Sequence, residues 1–314
     1  AKDTLTREQA AKIIAYLELG EKAADALVGG ATFTDVAASR WSAGFVGYCA
    51  QAGVVNGVGN GAFDPAGQLT ALQFGKMLLV ELGYDAKAEK MVGNDWAINT
   101  SKLMATAKLM DGIEGSVNQV LTREQAAQMC LNAIEAPMVT YETKGSSISV
   151  NGAEINFGAS VAKYETSTIA KDQNISRDKL TSGEYTVELG EKLYKDLKKA
   201  SIQDNLGRPA TKWTWKADEI DTYADKADKT YSKNVKLGDI YKDLGMSTAD
   251  DAVVYIDGIQ GTAVKVSKAN TVKIASDTAN KDQVDTGTTV EVYFEDSTND
   301  VTICVIHNYA GTVE

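Results

Sequence analysis

Arg7 and Arg123 hold the same place in one repeated string, Leu5-Thr6-Arg7-Glu8-Gln9-Ala10-Ala11 and Leu121-Thr122-Arg123-Glu124-Gln125-Ala126-Ala127. A guanidinium is a planar fork of donors that fits a carboxylate bidentately, and a hydrogen bond to such a charged group is worth about 1.5–3 kcal/mol. At the first position of a helix the same side chain can equally be a solvated charge. Trp41 and Trp96 each offer a flat apolar face, suited to stacking on a ring or to filling a core. Asp35 can accept from hydroxyl or amide donors, or cap the helix that follows. Gly57 and Gly59 stand in Gly57-Val58-Gly59-Asn60-Gly61, where missing side chains let backbone amides approach a ligand. A tight turn is the rival explanation of that run. It follows no predicted strand, so it is not a dinucleotide fingerprint.

Catalytic chemistry has no comparable candidates. Cys49, Cys130, Cys304 and the single His307 form no metal-ligand spacing. No placed carboxylate pair or nucleophile–histidine set stands out. Catalytic residues, metals and cofactors are therefore expected to be none. Cys49 and Cys130 fall on apolar helical faces and read as buried thiols. Asp296-Ser297-Thr298-Asn299-Asp300 is rich in oxygen ligands, yet reads first as a polar hairpin turn and only second as a calcium loop. A net charge of −11 over 314 residues argues against nucleic acid and against anionic lipid. An anionic partner would have to be gripped by a few placed cations. No apolar run reaches the roughly 20 residues of a membrane span.

The elements that must position these residues are repetitive. A degraded third copy, Leu69-Thr70-Ala71-Leu72-Gln73-Phe74-Gly75, lies between the two strings. Thr6/Gln9, Thr70/Gln73 and Thr122/Gln125 have capping-box spacing, in which the Thr hydroxyl and the Gln amide satisfy free backbone donors. Losing such a cap costs about 1 kcal/mol. Ile13, Ile14 and Leu17, then Met77, Leu78 and Leu82, then Met129, Leu131 and Ile134 continue each copy at helical spacing. Further helices are predicted over Arg40–Ala52 and Ala97–Met110. Each unit is thus a helix, a loop and a capped helix, and one unit cannot bury its apolar face alone. The middle copy keeps its cap but replaces the arginine, on this reading by Leu72.

Pro137 ends the last of these helices, and the pattern turns to strands. Val139–Thr143, Ser147–Val150 and Ala153–Phe157 around Asn151-Gly152, Glu184–Leu189, Ala252–Ile256, Ala263–Val266, Thr271–Ile274, and a hairpin of Thr288–Phe294 with Val301–Ile306 read as β. Helices are predicted over Glu191–Ala200 and Leu237–Leu244, and Trp213 with Trp215 is expected on one sheet face. The expected fold class is α+β, with helical repeats over 1–137 and a β-rich domain with short helical insertions over 138–314, with room for two subdomains. The chain opens within a repeat and closes without a terminator, so it is expected to be part of a longer one.

One further order of motifs completes the middle unit: Phe33-Thr34-Asp35-Val36, Arg40-Trp41-Ser42-Ala43, Gly53-Val54-Val55-Asn56-Gly57, Gly61-Ala62-Phe63-Asp64-Pro65 and the cap at Thr70. This order closely resembles the S-layer homology (SLH) repeat of bacterial surface proteins, and the resemblance covers residues 1–136. Gly207-Arg208-Pro209-Ala210-Thr211-Lys212-Trp213 is similar, more loosely, to a stretch found downstream of such modules. The resemblance implies a pseudo-three-fold bundle whose grooves bind secondary cell-wall polysaccharide, often capped by a pyruvate ketal. Carried over, the ligand-binding residues are Arg7, Arg123, Asp35, Trp41, Gly57, Gly59 and Trp96. At most two grooves look equipped, because the third copy lacks the F-x-D-V and G-x-F-x-P motifs; the favoured groove combines Arg7 with the Asp35/Trp41 side.

The implied function is that of a non-catalytic extracellular protein of the bacterial cell surface, anchored to wall polysaccharide and forming a coat or surface layer. The alternative is an anchored, exported glycan-active enzyme or adhesin whose active part lies outside this chain. Self-assembly into a lattice or filament is compatible with the first of these.

Overall fold

The computed structural model describes residues 2–30, 33–143, 146–150, 153–158, 160–168, 175, 180–232, 235, 237–246, 252–260 and 288–308. It contains both helices and sheets and divides into two compact units, Ala1–Leu197 and Lys198–Glu314.

The first unit holds helices α1 (Arg7–Leu19), α2 (Glu21–Asp25), α3 (Ala43–Gln51), α4 (Ala71–Glu81), α5 (Trp96–Thr106), α6 (Arg123–Glu135) and α7 (Leu189–Leu193). Strands β1 (Val139–Thr140), β2 (Ser146–Val150), β3 (Ala153–Phe157), β4 (Lys163–Tyr164), β5 (Thr166–Ser167) and β6 (Tyr185–Thr186) form three antiparallel pairs, β1-β4, β2-β3 and β5-β6. The capping boxes are present on α1, α4 and α6. Backbone N–H groups of Thr6, Thr70 and Thr122 donate to Gln Oε1 at 3.1, 3.0 and 3.1 Å.

Just before each cap the three copies meet. Leu5 N–H donates to Leu121 O at 2.9 Å, Leu121 N–H to Leu69 O at 2.8 Å, and Leu69 N–H to Leu5 O at 3.1 Å. Arg7, Ala71 and Arg123 then donate their N–H groups to Gly67, Gln119 and Asp3. These bonds close a ring, so backbone groups that would be orphaned beside a core are satisfied by the neighbouring copy. Leu5, Leu69 and Leu121 are buried at its centre. The ring also fixes the alignment of the copies. Ala71, the first residue of α4, stands where Arg7 and Arg123 stand; Leu72 matches Glu8, which corrects the expected replacement.

Helix texture stops at Pro137, but the division into units falls later because the following segment packs on the helices. Met138 N–H donates to Val187 O, Leu189 N–H to Ala136 O, and the Tyr194 hydroxyl to Leu17 O at 2.5 Å. Val139 and Leu189 join the helical core. The helix expected over Glu191–Ala200 is corrected by the same contacts: α7 ends at Leu193, and the chain from Leu197 is strand. Likewise α3 begins at Ala43, because residues before it turn to bring Arg40 to Glu8. Of Glu184–Leu189, only Tyr185–Thr186 is strand.

The second unit contains β7 (Leu197–Gln203, beginning on the last residue of the first unit), β8 (Pro209–Trp215) and β9 (Asp218–Ala224), ordered β7-β8-β9. It also contains β10 (Lys229–Tyr231), α8 (Leu237–Asp243), β11 (Ala252–Ile256), β12 (Ile259–Gln260), β13 (Thr288–Glu295) and β14 (Asp300–His307), with sheet order β10-β13-β14-β11-β12. Leu237, Ile240 and Tyr241 of α8 pack on Val254, Val290, Val292, Val301, Ile303 and Val305. Residues 296–299 make the β13–β14 turn, with Asn299 at φ +57°, and Asp300 opens β14. Trp213 is buried, while Trp215, the last residue of β8, is exposed; the pairing shifts register between them, with the extra residue, Ile220, on β9. The turn at Gly207-Arg208-Pro209 has a structural cause: Gly207 has φ +81°, and a Cβ there would meet the Tyr255 ring at 2.1 Å. Asn151-Gly152, Ala263–Val266 and Thr271–Ile274 lie outside the described residues.

Candidate functional site

A cleft of about 510 Å³ opens between the first and middle repeats and α5. Its wall is the glycine-rich loop, Val54 to Val58 with Phe63. Its floor is apolar, from Leu69, Met77 and Met91. Arg7 enters from the first turn of α1, Gln73 and Lys76 from α4, and Trp96 from the start of α5. Among the described residues two cations line it and no carboxylate does, in a chain of net charge −11. That sign contrast points to an anionic ligand with apolar surface.

Arg7 is built into the wall. Its Nε donates to Phe63 O at 2.7 Å and its Nη2 to Asn56 O at 2.8 Å, while the guanidinium lies 4.6 Å from the centre of the Phe63 ring. Burial lowers its pKa from the ordinary value, and the charges of Asp64 and Asp35 oppose that. Asp35 holds the same loop from the other end. Its two carboxylate oxygens accept from Phe63 N–H and Asp64 N–H, both at 2.7 Å. The backbone bond to Phe63 is the main reason its pKa is low. Both of its oxygens are thus engaged with the loop backbone, and the side chain is otherwise exposed.

Gly57 lines the cleft, and its missing side chain has a steric cause: a Cβ would stand 2.6 Å from Ala62 O. Gly59 turns the loop at φ +113° and is not among the lining residues. Trp96 lines the cleft with the Lys76 ammonium 5.9 Å from its ring centre. Burial lowers the Lys76 pKa from 10.5.

The remaining expected residues stand elsewhere. Trp41 is exposed, its ring 6.2 Å from that of Phe45 and its side chain hydrogen-bonded to Glu8. Glu8 is buried and accepts from Arg40 Nε at 2.7 Å, Arg40 Nη2 at 2.9 Å and Ser42 Oγ at 2.5 Å. Arg123 is exposed and lies outside the cleft. Of the expected Asp35/Trp41 side, Asp35 holds the same loop as Arg7, while Trp41 is not among the residues that line this cleft, which Arg7 shares with Gly57 and Trp96. Lys76 and Gln73 escaped the sequence reading. The available signal was register: Lys76 follows Thr70 at the spacing by which Lys12 follows Thr6.

Among the described residues no helix is long and apolar enough to cross a membrane. Residues 32–73, which include the loop and the start of α4, match the family model of the S-layer homology domain. A cell surface protein of Thermoanaerobacter kivui is 26% identical over 176 residues, covering 54% of this chain and 21% of that protein. The chain thus spans about a fifth of that curated relative's length. Loop, cap and cleft wall fall inside the segment that matches the S-layer homology domain.

Proposed function

We propose that this chain is the anchoring part of a bacterial cell-surface protein, and that the cleft between Arg7, Lys76 and Trp96 holds an acidic group of secondary cell-wall polysaccharide, such as a pyruvate ketal. The observation that carries this reading is the cleft's lining: two cations, an indole and aliphatic side chains, without a carboxylate. On this reading the lining supplies binding contacts and the role is non-catalytic. The three copies are taken to stand about a pseudo-three-fold axis through the leucine ring, with one equipped cleft. A single site of this kind grips weakly, and several chains on one polymer hold firmly through effective concentration. The second unit serves as coat or spacer, and edge strand β9, with Ile220 and Tyr223 exposed, offers a pairing surface between copies.

The test is retention on isolated wall sacculi before and after the polysaccharide is stripped. Retention by intact sacculi alone supports the reading, and equal retention by stripped sacculi overturns it. Ordered sheets or fibres under the electron microscope would test the assembly role separately.

A further inference from the structure

The two cations of the cleft are not equivalent. Arg7 gives Nε and Nη2 to the carbonyls of Phe63 and Asn56, which bracket the glycine-rich loop. Together with Asp35, which takes the Phe63 and Asp64 N–H groups, it clamps that loop from both sides. A guanidinium committed in this way cannot also present its Nε/Nη2 edge to a ligand carboxylate.

Lys76 has the opposite character. Its ammonium stands at the cleft beside Trp96, half-buried, and among the described residues it has no ion pair. The equivalent lysine of the first repeat differs. Lys12 lies over the Tyr16 and Phe45 rings at 4.7 and 5.3 Å, and its pKa is raised, first by Tyr16 and also by Asp25 and Glu21, the two ends of α2. The first-repeat lysine is thus answered by acids of its own chain, while the middle-repeat lysine has only burial acting on it. A half-buried ammonium without a counter-charge gains most from an anion arriving from outside.

We propose that Lys76 is the cation that reads the acidic group of the ligand, and that Arg7 is a positioning residue that holds residues 56–63 in place as the cleft wall. This rests on the reading above that the cleft takes an acidic sugar. Lys76 supplies a point charge with rotatable donors, tolerant of how the carboxylate is turned, and Trp96 covers the sugar face beside it. Arg7 sets the width of the cleft through the loop.

The experiment is calorimetric titration of the whole chain with a methyl hexoside bearing a pyruvate ketal, and with the methyl ester of that ketal as the uncharged control, between pH 6 and pH 11. The wild type is expected to bind the acid at least tenfold more tightly than the ester, and to lose that preference on an alkaline limb below the ordinary lysine value of 10.5. Lys76→Met should abolish the preference at an unchanged melting temperature. Lys76→Arg should retain it and carry it beyond pH 10.5, since a guanidinium does not titrate there. Arg7→Lys should weaken acid and ester alike and keep the wild-type alkaline limb. Acid preference surviving in Lys76→Met, or an identical alkaline limb in Lys76→Arg, overturns the proposal while leaving the cleft's function standing. A wild type that binds neither compound overturns both.

Discussion

Arg7 and Phe63 are joined twice, by a 2.7 Å hydrogen bond from Nε to the Phe63 carbonyl and by a guanidinium 4.6 Å from the centre of the Phe63 ring. Phe63 is itself fully buried. The contact ties the first turn of α1 to the loop of the next repeat, so a single side chain links the inter-repeat ring to the cleft wall. Arg7→Ala should loosen residues 56–64 without melting the helices. The expected cost is about 1–3 kcal/mol for two charge-assisted hydrogen bonds at a half-buried site. Hydrogen exchange should show lost protection at Val58, Phe63 and Asp64 and little change within α4.

Gly57→Ala tests the same wall sterically. The added methyl would stand 2.6 Å from Ala62 O and 3.1 Å from Phe33. Overpacking of this kind costs about 1–3 kcal/mol. Thermal unfolding should register it, and wall retention should fall with it.

Glu8 and Arg40 make a second inter-helix tie that answers to acid. Burial alone would raise the Glu8 carboxyl, but the Arg40 and Ser42 hydrogen bonds outweigh it, and its pKa lies below 4.5. A group depressed in the folded state contributes stability above its unfolded pKa, and that contribution disappears as pH falls through the lower, folded value. Arg40→Ala should lower stability at neutral pH, because it leaves the buried Glu8 carboxylate without its cation. Its urea midpoint should approach that of the wild type as pH falls below 4.

Glu81 acts with the opposite sign. Burial, helped by the charge of Glu18, pushes its carboxyl up to about 8. The folded state keeps a proton that the unfolded chain releases near 4.5, so stability falls as pH rises from about 4.5 to about 8. Glu188, buried and hydrogen-bonded to Thr186, is also raised, chiefly by burial. Glu81→Gln should raise the urea midpoint at pH 8.5 more than at pH 5. An equal effect at both values would contradict the assignment.

What could be read from the chain was local. The three caps depend on Thr and Gln at fixed spacing and form as that spacing requires. The β13–β14 hairpin likewise follows from alternation on either side of a polar turn. What could not be read was assembled between residues far apart in the chain. Lys76 looks like any solvated helical lysine until Trp96, from the following helix, is placed beside it. Asp35 looks like an open acceptor until the Phe63 and Asp64 amides occupy it. The middle-repeat substitution was misplaced by one residue, although the cap at Thr70 already sets Ala71 opposite Arg7, as the ring of backbone bonds does again. The strand from Leu197 was hidden because Tyr194 is drawn to Leu17, which ends a helix that local pattern would extend.

The function proposed for this chain is attachment to an acidic wall polymer through the cleft lined by Arg7 and Lys76. Its most direct measurement is co-sedimentation of the chain with wall sacculi, compared with sacculi whose polymer has had its acidic substituents removed by mild hydrolysis. Retention on untreated sacculi that falls at least tenfold after hydrolysis, and falls equally for the Arg7→Ala, Lys76→Met double variant on untreated sacculi, is the expected result. Undiminished retention of either kind would contradict the account.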